Sequence, residues 1–248
     1  MKIIAIVGPT GVGKTKLSLE LAKHYNAEIL NCDSMQIYKE LNIGTAKIID
    51  KEGIKHHMLD ICSIKDTYSV YDYQKEARKI LNNLIKKNTN VIIVGGTGLY
   101  LKALLYDYKF NIDNKERKEL TRKEKDNLKL IYDTCFIGLT TDRNKLYEII
   151  NSRVDKMFED GLLDEVKNLY NNKYVIKAIG YKELYEYINN NITLDKAKEL
   201  IKQRSRNYAK RQYTWFNNQM DIKWIDVDFN NFSNTVNMSI KLIDRLQK

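Results

Sequence analysis

Short, almost wholly apolar runs alternate with amphipathic stretches along this chain. Ile3 to Val7, Ile29 to Cys32, Val91 to Val94 and Cys135 to Leu139 lack a regular polar face, which predicts strands buried on both sides of a parallel sheet. The segments between them carry apolar residues at helical spacing, beginning with Leu17, Leu19, Leu21 and Ala22. Helices on both faces follow, because each apolar face of the sheet needs a cover. The last third is also helical by period, with Val154, Met157, Phe158, Leu162 and Val166 in register and a long helix predicted from about Leu194 to Phe216. One stretch breaks the pattern: Asn111-Ile-Asp-Asn-Lys-Glu-Arg-Lys-Glu-Leu120 is strongly charged with little apolar face. Residues 111–133 are therefore read as a short exposed helical insertion, and residues 1–110 with 134–248 as one α/β core.

The turn after the first strand brings in chemistry. Gly8, Pro9, Thr10, Gly11, Val12, Gly13, Lys14 and Thr15 have the form G-x-x-x-x-G-K-[ST], in the strand-to-helix setting that this form requires. Its glycines let successive backbone N–H groups turn toward an anion at a helix N-terminus. Lys14 adds a positive charge, and the Thr15 hydroxyl can hold Mg²⁺. The expected ligand is a diphosphate or longer phosphate chain. The expected fold is α/β: a P-loop NTPase-like parallel sheet with helices on both faces, a short helical insertion and a helical C-terminal third. In such sheets ligands bind beyond the C-terminal strand ends, where this loop, Asp33 and Thr97 all fall. Asp33, followed by Ser34, has two readings there. It is a cap for the following turn, or a carboxylate that orders Mg²⁺ through water or takes a proton from an acceptor. The third strand ends in Gly95-Gly96-Thr97-Gly98 with no acidic residue, which counts against motor-type ATP hydrolysis.

Charge narrows the partner. Lys plus Arg number 42 against 32 Asp plus Glu, a net charge of +10 that favours a polyanion. Cys32, Cys62 and Cys135 form no C-x-x-C pair, against both a disulfide framework and a zinc module. Neither a secretory leader nor a bilayer-spanning run is expected, so the expectation is a soluble, cytoplasmic protein. On the long helix, Lys202, Arg206 and Lys210 recur at i,i+4 spacing, Arg204 and Arg211 lie on a neighbouring face, and Tyr208, Tyr213 and Trp215 interleave. Such a stripe is a solvated face or a surface for RNA phosphates and bases.

Asp33-Ser-Met-Gln-Ile-Tyr-Lys-Glu-Leu-Asn-Ile-Gly-Thr-Ala-Lys47 resembles the signature of tRNA dimethylallyltransferases, also called tRNA isopentenyltransferases. Further matches follow in order: His56-His57-Met58-Leu59-Asp60, Tyr68-Ser69-Val70 with Asp72-Tyr73, Val94 to Leu104, Ile179-Gly-Tyr-Lys-Glu183, and Tyr208 to Trp215. The resemblance implies transfer of a dimethylallyl group from dimethylallyl diphosphate to N6 of the adenosine on the 3′ side of the anticodon, in tRNAs reading codons that begin with U. It implies that the glycine loop holds the donor diphosphate instead of ATP, with Mg²⁺ at Thr15. Asp33 would then manage the N6 proton, and Arg153, in Asn151-Ser-Arg-Val-Asp-Lys-Met-Phe158, would reach the same diphosphate.

Ser34, Met35, Gln36 and Thr97 match positions that contact an adenosine drawn out of its stack. By the same resemblance Arg117, Ile179, Gly180, Tyr181, Lys182, Lys202, Arg206, Lys210 and Arg211 would meet the anticodon stem-loop, and the protein would act as a monomer. Tyr38 is read as packed, and His56 and His57 as satisfied in a loop, without a metal. The insertion is shorter than the family's arginine-rich one, Ile48 and Lys55 replace prolines, and the zinc finger of eukaryotic relatives is not among these residues. A compact bacterial type is expected. The rivals are an isopentenyltransferase acting on free adenine nucleotides, a small-molecule kinase, and an RNA-binding protein without catalysis. Lys14, Thr15 and Asp33 together count against the last, and the Asp-Ser-Met-Gln run with the basic helix favours tRNA over a free nucleotide.

Overall fold

A computed structural model describes residues 1–113, 116–118 and 128–246, without the side chains of 111–118. Strand β1 (Ile3–Val7) lies mid-sheet, between β4 (Asn90–Val94) and β7 (Cys135–Thr140), with Ile3 opposite Val91 and Ile4 opposite Cys135. Beyond β4 come β2 (Ala27–Asn31) and β3 (His56–His57), and beyond β7 comes β8 (Lys223–Asp226). All of these pairs are parallel. The four apolar runs thus form the four inner strands. The two edge strands carry no apolar run of their own, so periodicity did not reveal them. His56 and His57, expected in a loop, are paired with Ile29 and Leu30 as the edge strand β3.

Helices α1 (Lys14–Tyr25), α2 (Val70–Lys86) and α3 (Gly98–Leu105) cover the sheet with the C-terminal α8 (Phe232–Leu246). One core gathers Leu81, Leu84, Leu101 and Leu104 against Ile3, Ala5 and Ile93; the other gathers Leu17, Leu21 and Ile243 against Ile4, Ile6 and Ile92. Alternate residues of β1 and β4 therefore feed opposite cores, which is why residues 3–7 and 91–94 are all apolar. Ser69 caps α2 in a box with Asp72, and the buried Tyr73 donates its hydroxyl to the Asn31 carbonyl (3.0 Å). That part of the family-like pattern is structural.

The C-terminal third adds α4 (Arg143–Glu159), α5 (Leu162–Asn171), α6 (Tyr181–Ile188) and α7 (Leu194–Gln219). These helices enclose a third core of Val154, Leu162, Val166, Leu184 and Ile201, which also takes in Leu41 from the segment after β2. Within the insertion, β5 (Asn111–Asp113) pairs antiparallel with β6 (Glu116–Lys118). Residues 114–115 and 119–127, on which the helical expectation rests, lie outside the described residues. Among the described residues no helix is long and apolar enough to cross a membrane.

Candidate active site

The phosphate loop sits between β1 and α1 at the C-terminal edge of the sheet. Gly8 has φ +139°, and a Cβ there would stand 2.6 Å from the Leu139 carbonyl oxygen of β7; Gly13, which opens α1, has φ +101°. Only glycine takes such conformations at low cost. Val12 is fully buried and ties the loop to the core. Lys14 curls over its own loop, its Nζ donating to the carbonyls of Gly8 (2.9 Å) and Pro9 (2.8 Å). Burial, then the Arg153 guanidinium, hold its pKa down to about 7, with Asp33 opposing them. Arg153 comes from α4, 143 residues away, and donates to the Thr10 hydroxyl at 2.8 Å. Burial lowers its pKa, and Asp33 partly offsets this.

Asp33 follows β2 and accepts from the Met35 N–H at 2.9 Å, so the turn-capping reading holds. The Ser34 N–H donates to Thr97 Oγ1 (3.0 Å), which in turn donates to Ser34 Oγ (3.2 Å). Gln36 Nε2 donates to the Thr45 carbonyl at 3.1 Å. Two cavities meet here. A small one of about 100 Å³ is lined by Lys14, Thr15, Gln36 and Gly96; a larger one of about 420 Å³ runs past Ser34, Met35 and Gly44 to Ile179, Gly180, Lys182 and Arg211. Thr10, Asp33 and Arg153 line both. A carboxylate and a guanidinium thus stand where a phosphate-gripping end opens into a roomier, partly apolar one.

Two residues at this junction, Tyr208 and Gln212, were not singled out as site residues from the sequence. Gln212 is buried; its Oε1 accepts from the Thr10 N–H (2.8 Å) and its Nε2 donates to the Gly96 carbonyl (2.9 Å). Tyr208, one turn earlier on α7, lines both cavities. Its pKa is pushed up to about 12, first by burial and then by Asp33, against the pull of Arg211, Gln212 and Thr97. The glycines at the end of β4 make this approach feasible. A Cβ on Gly96 would meet the Gln212 amide at 2.3 Å, and one on Gly98 the Trp215 ring at 2.3 Å. The available signal was the i,i+4 spacing of Tyr208 and Gln212, which sets both on one helix face.

The basic stripe on α7 divides. Lys202 pairs with Asp155 (2.8 Å) and Arg206 donates to Asn151 Oδ1 (2.7 Å), so both turn toward α4. Lys210 and Arg211 are exposed, and Arg211 reaches the larger cavity. Tyr181, expected against tRNA, is completely buried. The start of α6 packs it beneath the segment after β2, with its hydroxyl on Glu165 (2.7 Å). Arg117 lies on β6 opposite Ile112, and its side chain is outside the described residues.

The histidines are engaged structurally. His56 Nδ1 faces the Ile54 carbonyl (2.9 Å) and His57 Nε2 meets Glu28. Among the described residues no group of three or more His, Cys, Asp or Glu is arranged to hold a metal ion. Thr15, at the start of α1, is exposed and lines the small cavity with Asp33. A hydroxyl facing a phosphate cradle suits Mg²⁺, which takes few protein ligands and completes its shell with phosphate and water.

A phosphate loop without an acidic neighbour on the next strand, opening through an aspartate and an arginine into a second cavity, defines a P-loop-type group-transfer enzyme. Residues 36–133 and 116–219 match the family model described as IPP transferase, and the chain belongs to that family. A tRNA dimethylallyltransferase of Anoxybacillus flavithermus is 40% identical over 299 aligned residues, covering 98% of this chain and 96% of the relative. The aligned span exceeds this chain's length, so the relative carries insertions that this chain lacks. The tRNA isopentenylpyrophosphate transferase of Bacillus halodurans superposes with a TM-score of 0.85 at 35% identity, over 99% of this chain and 97% of that one. A eukaryotic dimethylallyltransferase captured acting on tRNA gives 0.83 at 28% identity, over 98% and 80%.

Proposed function

We propose that this chain is a tRNA dimethylallyltransferase, which moves the dimethylallyl group of dimethylallyl diphosphate to N6 of an adenosine in the anticodon stem-loop, on the 3′ side of the anticodon. The observation that carries this reading is the shared position of Thr10, Asp33 and Arg153 between the two cavities. The C1–O bond of the donor breaks as the N6–C1 bond forms, diphosphate leaves toward the phosphate loop, and the N6 proton passes to Asp33. An exocyclic amine is a weak nucleophile, so a carboxylate that takes its proton speeds attack. Negative charge grows on the departing diphosphate, where the loop N–H groups, Lys14 and Arg153 meet it. Mg²⁺, when bound at Thr15 and the donor phosphates, would neutralise part of that charge.

The larger cavity suits a base drawn out of its stack, with Ser34, held by Thr97, and Lys182 and Arg211 among its lining residues. The buried free thiols Cys32, Cys62 and Cys135 fit a reducing cytoplasm. The test is direct: incubate the protein with Mg²⁺, labelled dimethylallyl diphosphate and either tRNA, AMP or ATP. Label on tRNA is expected, and chelating the metal should slow its transfer. Label on AMP or ATP alone would instead identify a free-nucleotide isopentenyltransferase, and no transfer to any acceptor would overturn the reading.

A further inference from the structure

The wall of the larger cavity includes Gly44 and Thr45, in the segment that follows β2. Turns within that segment pair the N–H groups of Leu41, Ala46 and Lys47, and those of residues 42–44 need partners from elsewhere. One side chain supplies them. Glu165 of α5 accepts from the N–H groups of Asn42 (3.0 Å) and Ile43 (2.8 Å) through Oε2, and of Gly44 (3.0 Å) through Oε1. Oε1 also takes the Tyr181 hydroxyl at 2.7 Å. The same tyrosine packs flat against the segment: a Cβ on Gly44 would stand 2.6 Å from its ring. Thr45, next in line, receives Gln36 Nε2. Lys47 closes the other end on the Tyr38 carbonyl and Asp60, both at 2.6 Å.

We propose that Glu165 is a positioning residue for the acceptor: through residues 42–44 it sets the cavity wall against which the target adenosine seats. This rests on the tRNA reading above. A carboxylate can accept at every lone pair, whereas an amide of the same shape presents a donor on one end. In Glu165→Gln, either the Gly44 N–H or the pair at Asn42 and Ile43 would face an NH₂ group. The loop then shifts, while α5 keeps its packing on α4 and α6.

The test compares Glu165→Gln with Asp72→Asn. Asp72 is a carboxylate that closes the capping box of α2 on the Ser69 N–H (2.9 Å), and no residue of α2 lines either cavity. For Glu165→Gln we expect faster amide exchange at 42–44 and a rise of about ten-fold in the KM for tRNA, the size expected for one lost charge-assisted hydrogen bond. Dimethylallyl diphosphate affinity, measured by calorimetry, should stay within about two-fold on the same scale. Asp72→Asn should lower Tm without moving the tRNA KM. Should Glu165→Gln fail to fold, Tyr181→Phe removes a single bond to the same carboxylate and should shift tRNA KM in the same direction by about three-fold. Unchanged exchange at 42–44, an unchanged tRNA KM, or an equal KM change in Asp72→Asn would overturn the proposal. If the unmodified protein did not act on tRNA, the functional reading would fall instead, and amide exchange would still decide whether Glu165 holds the loop.

Discussion

The two ends of the site are built by different means. The donor end is largely local: eight consecutive residues make the phosphate loop, its glycines impose the turn, and Arg153 and Gln212 bond to it from far along the chain. The acceptor end is assembled from β2, β4 and four helices, through single side chains such as Thr97, Glu165 and Tyr208. Anion binding needs converging N–H groups, which one glycine turn provides. Seating a base needs walls on several sides, and those must come from separated elements.

The sharpest way to separate the two ends is Asp33→Ala. If this carboxylate takes the N6 proton, kcat with tRNA should fall by at least about 10²-fold while donor affinity changes little. Single-turnover rates and donor titration measure the two quantities, and wild-type turnover would remove Asp33 from the chemistry. Lys14→Ala should do the reverse, weakening dimethylallyl diphosphate by about 10- to 100-fold, as expected for a charge-assisted bond to phosphate. A donor affinity equal to wild type would show that the loop grips by backbone alone.

A third effect follows from the pKa of Lys14, lowered to about 7 before the donor arrives. Above that pH the amine is largely neutral, and a diphosphate beside it favours the charged form. Donor binding at pH 8 should therefore take up a proton, and affinity should fall as pH rises further. The diphosphate is itself fully ionised at that pH, since phosphate loses its last proton near about pH 6. Calorimetry in buffers of different ionisation heat reads the uptake; a buffer-independent heat would refute it.

The smallest effect tests the basic helix. Lys210→Gln and Arg211→Gln should each reduce the slope of log K for tRNA against log[salt] by roughly 0.7 to 0.9. Lys202→Gln should change it little, because Asp155 already holds that ammonium. Equal changes at all three positions would mean that tRNA displaces the Asp155 pair.

The inner strands and the phosphate loop were legible because each depends on neighbours in sequence: apolar runs for the sheet, glycines and Lys14 for the loop. Asp33 and Thr97 were legible as strand-end residues in a parallel sheet. Tyr208 and Gln212 were harder to see: their i,i+4 spacing is that of any helix face, and the Thr10 and Gly96 that Gln212 bonds lie more than a hundred residues away. Tyr181 misled for a related reason. The Ile179-Gly-Tyr-Lys-Glu183 run points at the cavity through Ile179, Gly180 and Lys182, but helix geometry turns the tyrosine the other way, onto Glu165.

Helix α7 has a consequence for how such a chain can vary. Over 26 residues it presents Arg204 to α6, Lys202 and Arg206 to α4, Tyr208 and Gln212 to the donor loop, and Lys210 and Arg211 outward. Every one of these assignments depends on angular phase, and one inserted residue turns all that follows by about 100°. Exposed positions such as Asn207, Thr214 and Asn217 can change identity freely. A change of helix length between Ile201 and Phe216 would instead swing the amide away from Thr10 and carry cations into the core, so this stretch can drift in composition but not in count.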